Sequence, residues 1–257
     1  MKYGFCTGFA TIPLWQIERK MIEKIEREGY DYVELPLMSV ACLSDGEFNT
    51  LSSYFSSFVS CNLFPSNIAL LSKDRNVEAI SNYLNLVFSR AQKLGIKEVI
   101  FGSGKARSFD SSFTKEEALR ELEKLIKEII IPKATKADIT VLLEPLKRDE
   151  CNIINTVEEA YSLVKTVNDP SFSLMADLYH MENNGEDLSI LPHLVNSLEH
   201  VHIAGKNRSL VETISSPFIL KGLGMLKSAN YDKAISFETD WGDIKTSLEW
   251  LKAIYNN

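Results

Sequence analysis

Four side chains placed at or near the ends of apolar runs could together do chemistry: Glu144, Asp177, His202 and Glu238. Glu144 closes ITVLLE, Asp177 closes SLMAD, His202 lies in EHVHIAG and Glu238 closes AISFE. Three carboxylates gathered in one place repel one another, and removal from water sharpens the penalty. A divalent cation resolves that conflict, and mixed carboxylate and imidazole ligands suit Mn²⁺, Mg²⁺, Co²⁺ or Zn²⁺ rather than softer ions. An ion held this way polarises a carbonyl and eases the loss of the neighbouring C–H proton, for which an acid and a base are also needed. Each residue also has a plainer role. Asp177 could cap a helix, Glu238 could be an exposed strand end, and His202 could be a satisfied core histidine. What favours the joint role is that the four fall on successive strands.

Those strands belong to an alternation that runs the length of the chain. Strand-like stretches are expected at Lys2–Cys6, at Tyr32, Val33 and Leu35 with Glu34 inside the run, and at Val59–Phe64, Glu98–Phe101 and Ile139–Leu143. The later ones are Ser171–Ala176, His200–Ala204 and Ile235–Phe237. The near-continuous apolar character of ITVLL is that of a parallel strand covered on both faces, and Pro145 stops it. Helical patterns stand between the strands: Trp15–Glu28 ending at Gly29, with Pro13 suited to its start, then Asp45–Phe58 and Asn76–Leu94. Thr114–Ala137 follows, with a capping box at Thr114 and Glu117 and a kink or break expected at Pro132. Thr156–Asn168, an interrupted Asp187–Asn196, Ser216–Ala229 and a last helix through Tyr255 complete the series. Eight strand–helix units in about 250 residues make an α/β chain of the (β/α)8 TIM barrel class, read as one domain over residues 1–257. In such a barrel the strand tips converge on one mouth, where residues remote in sequence meet.

Other features narrow the function classes. The 257 residues carry 28 basic and 35 acidic side chains, a net charge of −7, which argues against a nucleic-acid footprint. No apolar run approaches a membrane span, and MKYGFCTGF lacks the apolar core of a signal peptide. The four cysteines, Cys6, Cys42, Cys61 and Cys151, are scattered without paired metal-ligand spacing, so free thiols in a cytoplasmic protein are expected. His200, two residues before His202 on the same strand face, suits a layer residue or a partner behind a ligand, and His193 a surface position. FGSGKAR fails the P-loop pattern and suits a tight turn, although its amides and Lys105 or Arg107 could meet a substrate anion.

These motifs resemble those of the xylose-isomerase-like sugar isomerase and epimerase superfamily, and in particular the D-tagatose 3-epimerase-like ketose 3-epimerases. The family's acid, Pro-Leu-Asn-Arg and second acid are matched by Glu144-Pro145-Leu146-Lys147-Arg148-Asp149-Glu150. Its Asp with a His three residues on is matched by Asp177 and His180, and its His with an Arg six residues on by His202 and Arg208. Its last metal-binding acid is matched by Glu238, and NLFPS and FGSGKAR also resemble superfamily segments. The resemblance implies one divalent ion, most often manganese, held by Glu144, Asp177, His202 and Glu238. It implies that Glu144 and Glu238 act as acid and base on opposite faces of a ketose, and that Glu150, His180 and Arg208 bind the substrate. Relatives follow the arginine with a Pro-Gly-x-Gly stretch leading to an Asp, where this chain reads Ser209-Leu210-Val211-Glu212-Thr213-Ile214.

The expected partner is a small sugar or sugar phosphate, with homo-oligomer formation open. Rival readings on the same barrel are an aldose–ketose isomerase or dehydratase, and, from another class, a non-catalytic sugar- or metal-binding barrel. An abasic-DNA endonuclease on this barrel would need more histidines than the four present, and a basic surface.

Overall fold

The computed structural model describes residues 1–8, 15–53 and 57–256, with the side chains of 15–18 and 256 left aside. Pro13 and residues 54–56 of the expected helix 45–58 lie outside the described residues. Eight parallel strands close into a barrel in chain order. They are β1 (Lys2–Cys6), β2 (Tyr32–Pro36), β3 (Phe58–Cys61), β4 (Glu98–Phe101), β5 (Thr140–Leu143), β6 (Phe172–Asp177), β7 (Leu198–Ile203) and β8 (Ala234–Phe237). The last pairs back onto the first, Lys2 opposite Ala234 through Phe5 opposite Phe237. The expected (β/α)8 TIM barrel is the fold, with helices covering the outside at Trp15–Arg27, Asp45–Ser53, Val77–Lys93, Lys115–Lys136, Val157–Val167, Pro217–Ser228 and Ile244–Asn256.

Period-two alternation divides each strand between two environments. Val33, Leu35, Val141, Leu143, Ile235 and Phe237 join the large core beneath the helices. Their neighbours Tyr32, Val59, Ile100, Leu142, Met175 and Ala234 form a second, separate apolar cluster, the packed layer inside the barrel. Toward the C-terminal ends of the strands the same alternation brings polar residues to the inner face: Glu34, Glu144, Asp177, His202, Ser236 and Glu238, all buried.

The local differences from expectation have physical causes. β3 spans Phe58–Cys61 rather than 59–64, because Asn62 turns to the left-handed region at φ 51° and ends the extended run. The kink expected at Pro132 is a widened π-turn over Ile126–Ile130, after which Pro132 sits in the first turn of Ile131–Lys136. Widening the preceding turn makes room for a ring that would otherwise crowd the helix and that donates no hydrogen bond. The Thr114–Glu117 capping box is present in both directions. Four short α-helices among the described residues were not expected: Leu37–Cys42, Gly104–Arg107, Leu178–Asn184 and Leu210–Ser215.

Candidate metal centre

β6 and β7 are neighbours, with Asp177 directly opposite His202 in the ladder. Glu144 follows β5, and Glu238 follows β8, so the two glutamates flank the Asp177–His202 pair on the closed wall. One ligand atom from each of Glu144, Asp177, His202 and Glu238 lies within 4.8 Å of all the others, and all four residues are buried. His202 Nδ1 faces Glu144 Oε1 at 3.4 Å and Glu238 Oε2 at 3.2 Å. Buried Glu144 Oε1 and His202 Nδ1 both lack a hydrogen bond despite that proximity. Orphaned buried polar atoms are costly, and two aimed at one point among carboxylates fit a cation as their partner. The donor set of one imidazole nitrogen and three carboxylates can hold a divalent ion.

The backbone is shaped for this arrangement. A Cβ at Gly102, at the end of β4, would stand 2.0 Å from Glu144 Oε2, so the absence of a side chain there is what admits the carboxylate. Arg107 is fully buried and donates to the carbonyls of Phe101 at 2.9 Å and Glu144 at 2.8 Å, tying the ends of β4 and β5 together. It therefore does not face the mouth as a partner for a substrate anion. Asp177 does cap a helix, accepting from Tyr179 N–H through Oδ1 at 2.7 Å, while Oδ2 is turned to the cluster side. The two roles of Asp177 coexist because each uses a different oxygen.

Behind His202 stands a residue to which sequence reasoning gave no function. Glu34 of β2 is fully buried and accepts from His202 Nε2 at 2.9 Å through Oε2. Its Oε1 lies 2.6 Å from His200 Nε2 and accepts from the Ser236 hydroxyl. With a carboxylate at Nε2, the neutral imidazole of His202 carries its proton there and presents the Nδ1 lone pair to the cluster. Burial pushes Glu34 up, but His202 and then His200 outweigh it and hold its carboxyl far below the usual range. Burial likewise depresses His202, yet Glu34 and then Glu238 leave its pKa well raised, so an arriving cation displaces a proton. His200 lies deeper, its ring 5.2 Å from that of His202, as expected of a partner behind a ligand, and His193 is exposed. The signal for Glu34 was a lone acid in the otherwise apolar run YVELP.

The three residues expected at the substrate divide. Arg208, its backbone at φ 55°, sends Nη1 onto Glu238 and to 3.4 Å from Asp177 Oδ2. Its Nη2 lies 3.0 Å from His180 Nε2, and the guanidinium stacks over the Tyr179 ring at 4.2 Å. His180 is buried and accepts the Lys147 N–H at Nδ1, 3.1 Å away. These two therefore border the cluster directly. Glu150 stands apart, exposed in the loop after β5 and 3.4 Å from Lys147 Nζ. The atypical segment after Arg208 is the short helix Leu210–Ser215, capped by Ser209 and seated so closely on Gly205 that a Cβ there would meet Thr213 N at 2.4 Å.

The two glutamates stand in unlike surroundings. Burial, only partly offset by His202, raises Glu144, whereas Arg208 and His202 overcome burial and hold Glu238 well down.

The model of the xylose isomerase-like TIM barrel family matches residues 22–254. This chain belongs to that family. Among its relatives, a ketose 3-epimerase of Arthrobacter globiformis is 25% identical over 249 residues, covering 93% of this chain and 83% of that protein. Among solved structures, the D-allulose 3-epimerase of Methylomonas sp. in complex with D-allulose superposes with a TM-score of 0.81 at 21% identity, covering 99% of this chain and 97% of that one. The IOLI protein with a bound zinc atom aligns with a TM-score of 0.70 at 19% identity, covering 100% of this chain and 95% of that one. At such identities the structural likenesses establish the barrel, and the chemistry rests on the side chains. No described helix is long and apolar enough to cross a membrane.

Proposed function

We propose that this chain is a divalent-metal-dependent ketose 3-epimerase. The observation that carries the reading is the pair Glu144 and Glu238, buried on either side of Asp177 and His202 with all four ligand atoms in mutual reach. The 3-epimerase names of relatives across most of the chain point the same way. Glu144, Asp177, His202 and Glu238 hold the ion, with Mn²⁺ the favoured occupant and Mg²⁺, Co²⁺ or Zn²⁺ alternatives. When bound, the ion polarises the ketose carbonyl and stabilises the enediolate charge.

The proton is moved by the protein. One glutamate takes the C3 proton next to the C2 carbonyl, and the other returns a proton to the opposite face, which inverts the centre. Their unlike surroundings suit unlike roles, since pKa values pushed apart separate an acid from a base. His180 and Arg208 border the cluster and hold the hydroxyls around the reacting carbon. Arg107, committed to backbone carbonyls, is not available to a substrate phosphate.

The test is a panel of ketoses with Mn²⁺ in D₂O, read by chromatography and mass. Wild-type protein should invert C3 and incorporate solvent deuterium there. Glu144→Gln and Glu238→Gln should each lose epimerisation, and one of them should still exchange deuterium into a single epimer. Near wild-type epimerisation by both variants with metal bound would rule out the two-glutamate scheme.

A further inference from the structure

Two thiols inside the barrel take no part in the proposed chemistry. Cys6 ends β1 and Cys61 ends β3, on either side of β2, where Cys6 is paired with Glu34 and Cys61 with Pro36. Both thiols are free and buried, and their sulfurs lie 3.2 Å apart. Sequence reasoning took the four cysteines as scattered, and the barrel's closure brings two of them, 55 residues apart, into contact. The Gly8 N–H donates to Cys6 Sγ at 3.3 Å. A carboxylate oxygen of Glu34 and the two sulfurs all lie within 4.8 Å of one another.

We propose that Cys6, Cys61 and Glu34 form a thiophilic metal site for a d¹⁰ ion such as Zn²⁺, Cd²⁺ or Cu⁺, separate from the oxygen-rich set of Glu144, Asp177, His202 and Glu238. The ligand chemistry separates the two sites, because thiolates select soft ions while carboxylates with one imidazole select hard or borderline ones. The spacing suits coordination. Two Zn–S bonds of about 2.3 Å at a tetrahedral angle set sulfurs about 3.8 Å apart, a separation of about 0.6 Å more than the present one. A disulfide would require the opposite movement, a closure of more than about 1 Å. The third ligand, Glu34, is fixed in place by His200, His202 and Ser236, whose contacts already fall on both of its oxygens, so an ion must share one of them.

The binding step involves no redox change. The ion forms two metal–sulfur bonds, two S–H bonds break, and both protons pass to the solvent. The hydrogen bond from Cys6 draws the Cys61 thiol down, but burial and then the carboxylates of Glu34, Glu238 and Glu144 lift it to about 11. Without an ion the pair is therefore neutral, and the Gly8 N–H on Cys6 Sγ supports the sulfur charge that an ion induces. Glu34 also holds His202, so an ion on the thiols competes for the carboxylate that orients a ligand of the other set.

The experiment uses the full chain carrying Cys42→Ser, which removes the exposed thiol. Metal-free protein is titrated with Cd²⁺ and with Co²⁺ and followed by thiolate-to-metal charge-transfer absorption. The expected band saturates, is lost in Cys6→Ser and in Cys61→Ser, persists in Asp177→Asn, and is absent with Mn²⁺. Cadmium NMR of the Cys42→Ser chain supplies a reading that does not depend on the folding of the other variants, with a resonance in the two-sulfur range expected. Absence of a charge-transfer band, a band that survives in the Cys6→Ser/Cys61→Ser double variant, or cadmium resonances only from oxygen and nitrogen surroundings would overturn the proposal.

Discussion

Replacing Glu34 with Gln tests whether the metal centre depends on a residue that touches no substrate. In the wild type one carboxylate accepts from His202, contacts His200 and accepts from Ser236. A hydrogen bond to a charged group contributes about 1.5–3 kcal/mol and a neutral one about 0.5–1.5 kcal/mol, so the change weakens the His202 contact by about 1–1.5 kcal/mol. The amide introduced by Glu34→Gln keeps one acceptor oxygen. If that oxygen meets His202, the imidazole retains its tautomer and loses only the charge behind it. If the NH₂ group meets His202 instead, the imidazole proton moves to Nδ1, the atom turned to the proposed ion. Loss of a partner behind a metal ligand typically costs 10–100-fold in affinity, about 1.4–2.7 kcal/mol, and the bond arithmetic falls at the lower end of that range. Mn²⁺ affinity is read by electron paramagnetic resonance of the free ion against a chelator series, with circular dichroism to establish folding. A folded Glu34→Gln protein whose Mn²⁺ affinity stays within threefold of wild type would refute the argument that Glu34 orients His202.

Arg208→Ala removes a positive charge lying against Asp177 and Glu238, so Mn²⁺ affinity should rise on the order of tenfold while ketose turnover falls. Weaker metal binding in a calorimetric titration would show that Arg208 instead braces the ligands. Gly102→Ala should drive the Glu144 carboxylate from its place, lowering metal affinity by more than about tenfold with little change in Tm, because the atom displaced ends a flexible side chain. Equal losses of affinity and stability would contradict that. Glu186 tests the pH dependence of stability: burial raises its carboxyl from 4.5 to about 7, against the Val157 N–H bond. The folded state therefore holds the proton more tightly, and the group's contribution to stability falls as pH rises from 4.5 to about 7. With the group half-buried and partly screened by solvent, Glu186→Gln should gain about 1–2 kcal/mol at pH 8, or about 2–8 °C in Tm, and nothing below pH 4.5. A gain that is the same at both pH values would exclude the carboxyl as its source.

The barrel was legible because parallel strands covered on both faces must be apolar nearly throughout, and runs such as ITVLL and FSLMA announce that directly. The four candidate ligands were legible for a related reason: a charge terminating such a run is conspicuous. Glu34 was visible but without a role, since its partners His200 and His202 lie more than 160 residues away and only the closure of β1 onto β8 brings the two ends of the chain together. The same closure hid the meeting of Cys6 and Cys61. Helices such as Gly104–Arg107 and Leu178–Asn184 span too few turns for an apolar period to register, and what holds them is a cap or a buried contact made elsewhere. Arg107 looked like a residue for anions because sequence supplies its charge and not its direction.

The guanidinium of Arg208 among the ligand carboxylates also bears on the order of events after synthesis. Sites that fold only around their ion leave the polypeptide unfinished until the metal arrives. In this barrel Arg208 already lies against Asp177 and Glu238, and the rings of His202 and His200 lie against Glu34. If the cluster takes up the proposed ion, completion of the fold and acquisition of the ion would be separate episodes, the second an exchange of one cation for another. On that reading the ion found in a given molecule would record what its surroundings offered when the exchange took place, and a stripped protein would reload without passing through the unfolded chain.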